Sequence, residues 1–90
     1  MKSKTTRQFR ELYLQLPQRV RKQAREAYRQ FQVNPATPGL NFERIGGSRA
    51  LIYSARVSEQ YRVLGRRDDD TIVWFWIGTH SDYDKLIGRL

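Results

Sequence analysis

The chain has 90 residues, 39% of them hydrophobic, the size and composition of one small globular domain spanning 1–90. With no cysteine and one histidine, it cannot build a disulfide scaffold, a thiolate nucleophile, a zinc finger or an iron–sulfur site. No 18-residue apolar run and no apolar core in the polar start Met1–Arg7 leave neither a membrane helix nor a secretory signal, so a cytoplasmic domain without metal or cofactor is expected.

Seventeen Lys and Arg against nine Asp and Glu give +8, and thirteen of the seventeen are arginine. Residues 1–34 carry nine bases and two acids, whereas residues 35–90 carry eight and seven. A domain this basic draws polyanions at long range, and nucleic acid is the commonest of them. Simple solubility and an acidic protein partner are the competing readings.

In chain order, the first few residues, five of them polar or basic, are a candidate edge strand. Phe9, Leu12, Tyr13 and Leu16 follow the i, i+3, i+4, i+7 spacing of an amphipathic helix that Pro17 stops. Val20, Ala24, Ala27, Tyr28 and Phe31 mark a second helix ending before Asn34-Pro35, so the two form a helical hairpin. Asn34–Gly39 is a connector, after which the period becomes two. Leu40 to Ile45, closed by a Gly46-Gly47 turn, Leu51 to Val57, Gln60 to Arg66 and Thr71 to Ile77 read as four strands in an antiparallel meander. The last of these is apolar on both faces, as a central strand would be. Ser81 caps a short helix to Ile87, with acids in its first turn. The fold expected is α+β, with the hairpin packed on one sheet face and the other face partly open.

His80 stands where the most apolar strand gives way to the last helix, a rigid but accessible position, and it is the side chain best suited to proton transfer near neutral pH. A helix cap or a bond to a loop carbonyl would explain it equally. Arg56 and Arg62 flank the Ser58-Glu59 turn and Arg49 lies at the Gly46-Gly47 turn, so guanidinium forks could meet a phosphate there. A two-residue loop sets Arg56 and Arg62 on different faces, whereas a three-residue loop sets both on one. Lys22, Arg25 and Arg29 repeat at helical spacing and form either a polyanion-binding row or a solvated face. Among the aromatics, Trp74, Phe75 and Trp76 are assigned to packing, and Tyr83, three residues past His80, stays a site candidate.

These elements, with the strand Glu59-Gln60-Tyr61-Arg62-Val63-Leu64 and the ending Ile77-Gly78-Thr79-His80-Ser81-Asp82-Tyr83-Asp84, resemble the RelE/ParE superfamily of bacterial toxins. The Gly-Thr-His ending is similar to the YafQ-type branch. The resemblance implies a type II toxin–antitoxin toxin that cuts translated mRNA on the ribosome without metal, or, as in the ParE branch, one that poisons DNA gyrase. A noncatalytic RNA-binding module is the third reading.

By position, Arg62 matches the strand arginine set against the scissile phosphate and His80 the histidine used in proton transfer. Tyr83 lies near the C-terminal aromatic of other members. Arg49 and Arg56 would add charge at the RNA, and Lys22, Arg25 and Arg29 would meet ribosomal RNA. Tyr53 and Ala55 stand where RelE carries lysines, and Trp76 where YafQ-type enzymes carry an arginine, so the burden of proton transfer falls on His80. The implied partners are a cognate acidic antitoxin, mRNA and the ribosome.

Overall fold

The computed structural model describes residues 1–45 and 51–89. The Gly46-Gly47 turn and Arg49 lie outside these residues. The described chain runs β1 (Lys2–Thr5), α1 (Arg7–Leu14), α2 (Gln18–Val33), β2 (Glu43–Arg44), β3 (Ile52–Arg56), β4 (Tyr61–Asp68), β5 (Thr71–Thr79) and α3 (His80–Ile87).

Local chemistry sets the helix ends. Thr6 caps α1, its Oγ1 accepting from the Phe9 amide at 3.1 Å. Pro17, extended at φ −56° and ψ 149°, ends the first helix and opens the second, since its ring suits a helix start and not an interior. Asn34 leaves the helix in extended geometry, as the residue before Pro35 must. The hairpin is closed by polar ties: Arg21 donates to the Leu14 and Leu16 carbonyls, and Arg25 donates to the Tyr13 hydroxyl at 2.8 Å.

The sheet has five strands in the order β1-β5-β4-β3-β2. The candidate edge strand is therefore real, and it runs parallel to β5 beside an otherwise antiparallel meander. A side-chain bond from Trp74 Nε1 to Ser3 Oγ (3.0 Å) holds it, together with the Thr6 amide on the Trp74 carbonyl. The strand expected over Leu40–Ile45 shrinks to Glu43–Arg44, because Gly39 (φ 93°) and Asn41 (φ 48°) turn the chain just before it.

The core lies between the sheet and the hairpin. Phe31 from α2 joins Leu40, Ala55, Val63, Ile72, Trp74 and Ile77 in one buried cluster, with Phe9, Leu12 and Tyr13 of α1 packed alongside. Phe31 sets its ring edge-on to Phe42 (4.9 Å) and Trp74 (5.3 Å). Strict alternation would put Trp74 and Ile77 on opposite faces. A bulge solves this: Leu64 pairs with Trp76 but Gly65 pairs with Trp74, so Phe75 is the extra residue and both core side chains point to the helices. Trp74 then lies across Gly65, where a Cβ would come within 2.7 Å of its ring and 2.8 Å of Ile72.

Candidate functional site

The turn between β3 and β4 determines the site. Ala55 pairs with Val63 and Arg56 with Arg62, so three residues, Ser58 to Gln60, separate the paired Val57 and Tyr61 positions. The three-residue alternative holds, and both arginines share the face opposite Ala55 and Val63, away from the hairpin. Arg62 is also opposite Gly78 of β5.

Carbonyls of the same turn hold the Arg62 guanidinium. Its Nη1 donates to the Ser58, Glu59 (3.3 Å) and Tyr61 (3.0 Å) oxygens, while the Nε–Nη2 edge, the fork that matches a phosphate, is uncommitted among the described residues. The Arg56 Nε is buried with no hydrogen-bond partner. Among the described residues, no carboxylate comes within ion-pair distance of either arginine. Burial, and then the charge of Arg56, pull Arg62 below the usual guanidinium range, and Tyr83 and Asp84 act the other way. A guanidinium does not shed its proton in water, so an anion is what relieves this pair.

His80 opens α3 beside the same turn, its amide donating to the Gln60 carbonyl at 2.7 Å. The helix is capped by Thr79 and not by Ser81: Thr79 Oγ1 accepts from the Asp82 amide at 3.1 Å. The strand runs two residues past Ile77, which moves the helix start back onto His80. The imidazole is therefore free of the capping role and half exposed. It stacks on Tyr83 (centroids 6.0 Å, planes 18° apart), and its Nε2 lies 3.6 Å from Asp84 Oδ2. Asp84 was not among the sequence candidates, although the His80-to-Asp84 spacing of four on a helix was visible.

Arg56, Arg62, His80 and Tyr83 thus gather at one end of the sheet. Lys22, Arg25 and Arg29 do not join them, because α2 packs on the other sheet face. Two of these three also have local partners, Arg25 on Tyr13 and Arg29 on Glu26 at 2.7 Å. On the helical side a cavity of about 450 Å³ opens between hairpin and sheet, lined by Phe9, Tyr13, Tyr28, Phe31, Leu40 and Trp74. No helix is long and apolar enough to cross a membrane, and no three His, Asp or Glu side chains converge as metal ligands among the described residues.

Solved structures that share this architecture include toxins of toxin–antitoxin pairs. The RelB–RelE antitoxin–toxin complex of Methanococcus jannaschii superposes with a TM-score of 0.71 at 21% identity, over 91% of this chain and 96% of the other. The toxin–antitoxin complex RelBE2 of Mycobacterium tuberculosis gives 0.70 at 24%, over 88% and 96%. YafQ of E. coli gives 0.67 at 13%, over 90% and 94%. No curated protein matches the chain by sequence. The sequence model of the ParE-like toxin domain matches residues 18–85, which include both site arginines, His80 and Tyr83, and so the chain belongs to the ParE-like toxin family.

Proposed function

We propose that this toxin is a ribosome-dependent, metal-independent endoribonuclease, and the observation that carries the reading is the cross-strand Arg56–Arg62 pair, free of carboxylates at ion-pair distance among the described residues, with Arg62 opposite Gly78, two residues before His80. RNA brings its own nucleophile. The 2′-hydroxyl gives its proton to water as its oxygen attacks the neighbouring phosphorus, the bond from phosphorus to the 5′-oxygen breaks, and a 2′,3′-cyclic phosphate and a 5′-hydroxyl result. The protein must align these atoms, neutralise the pentacovalent phosphate and move protons. Arg62, through its uncommitted edge, and Arg56 supply the charge. His80 protonates the departing 5′-oxygen, and the stack on Tyr83 limits where its ring can turn. With so open a site, substrate alignment falls to the ribosome, against which the exposed Lys22, Arg25 and Arg29 can rest.

The similar RelE and YafQ structures include complexes with RelB and DinJ. By the same logic this chain has a cognate antitoxin, with an acidic segment meeting the basic surface and apolar side chains filling the cavity beside Phe9 and Tyr28. The family match itself favours a second reading, a gyrase-directed toxin, in which His80 has no chemical task.

Growth arrest and mRNA cleavage by His80→Gln and Arg62→Ala separate the two. Each substitution is expected to slow cleavage, by roughly 10²–10⁴ for the acid and roughly 10²–10³ for the phosphate donor, in folded protein. Full toxicity from folded His80→Gln would refute the nuclease mechanism and put gyrase first.

A further inference from the structure

The His80 ring is constrained from two sides. Tyr83 lies nearly parallel to it, 18° off at 6.0 Å, and the Asp84 carboxylate approaches Nε2 at 3.6 Å from one helical turn further on. Tyr83 is itself half-buried, with Leu86 and Ile87 on the same side of α3, so the helix has one orientation on the sheet. That orientation turns the His80 and Asp84 row toward solvent.

We propose that Asp84 is the positioning residue for His80, fixing the imidazole through Nε2 and leaving Nδ1 to serve the reacting oxygen; this rests on the nuclease reading above. Asp84 takes up no proton in the step: the Nδ1 proton passes to the 5′-oxygen as the bond to phosphorus breaks, and solvent restores it. A 3.6 Å approach is long for a hydrogen bond, and such contacts tighten when substrate excludes water. Asp84 and Tyr83 flank His80 on its own helix, and both also act on Arg62 of β4, which Arg56 of β3 opposes.

The position has a second consequence. Asp84 also acts favourably on the charge of Arg62, so its negative charge opposes an incoming phosphate there. Removing its charge should then affect binding and chemistry in opposite directions, a split that loss of structure does not produce.

The test uses the whole chain on mRNA-programmed ribosomes. Asp84→Asn is expected to lower kcat about tenfold, less than loss of the acid itself because the pair is exposed, and to lower KM as well. Asp84→Glu should recover part of the rate, and Asp84→Asn should add nothing to His80→Gln, since one residue acts through the other. His80 is the sole histidine, so its imidazole signals are unambiguous by NMR in the free protein. Asp84→Asn should move them and weaken the contact to the Tyr83 ring. Unmoved ring signals, a raised KM, or an equal further loss in the His80→Gln background would overturn the proposal. If the wild type cleaves no RNA, the nuclease reading fails, while the ring signals still decide whether Asp84 orients His80.

Discussion

Replacing Arg56 with methionine should make the protein more stable while depriving it of its site. The pair Arg56–Arg62 is directly opposed across β3 and β4, where like charges cost up to about 1 kcal/mol. The buried Arg56 Nε adds to this, as an unmet donor costs about 1–3 kcal/mol and methionine has none. Methionine keeps most of the apolar stem, so little packing is lost. Allowing for relaxation and solvent screening, a net gain of about 1 kcal/mol is expected, or about 4–8 °C in Tm for a chain of this length. Urea and thermal unfolding at pH 7 measure it, and the charge part of the gain should shrink at high salt. A short RNA made uncleavable by a 2′-deoxy sugar should stabilise the wild type by about 2.7 kcal/mol at a hundredfold excess over Kd, and the variant much less at the same concentration. A destabilised Arg56→Met protein, or equal protection of both by the RNA, would refute the claim that this pair is kept for an anion.

Other predictions follow from single contacts. Gly65→Ala should cost about 1–3 kcal/mol in urea unfolding, because its Cβ would meet the buried Trp74 and Ile72, and neither has room to retreat. Ser3→Ala should cost about 1–3 kcal/mol by leaving the Trp74 Nε1 without an acceptor, and should speed amide exchange through β1 while sparing β4. Antitoxin affinity should fall as salt rises, most through the association rate measured by surface plasmon resonance; indifference to salt would remove the acidic-segment reading.

Periodicity carries far in this chain because most of its elements bury one face. The stripes Phe9–Leu16 and Val20–Phe31 located both helices, and Pro17 and Pro35 set their limits, since proline acts locally whatever the tertiary setting. The strand register was readable only as two alternatives, and loop length chose between them: three residues at Ser58–Gln60 put Arg56 beside Arg62. The bulge at Phe75 was hidden, because a run apolar on both faces looks alike in either phase. Thr79 displaced Ser81 as the cap because β5 extends through Thr79, and hydroxyl-bearing residues only two positions apart cannot be ranked by sequence alone. The basic row on α2 had the right spacing, but spacing along one helix does not tell which sheet face that helix covers.

The central claim, that the arginine pair and His80 cut RNA, is tested most directly by mapping the ends of a message on purified ribosomes after addition of the toxin. The account predicts cuts within translated codons that leave a 2′,3′-cyclic phosphate and a 5′-hydroxyl, abolished by Arg62→Ala and His80→Gln. Intact message under those conditions, together with cleaved or supercoiling-defective DNA in a parallel gyrase reaction, would contradict it.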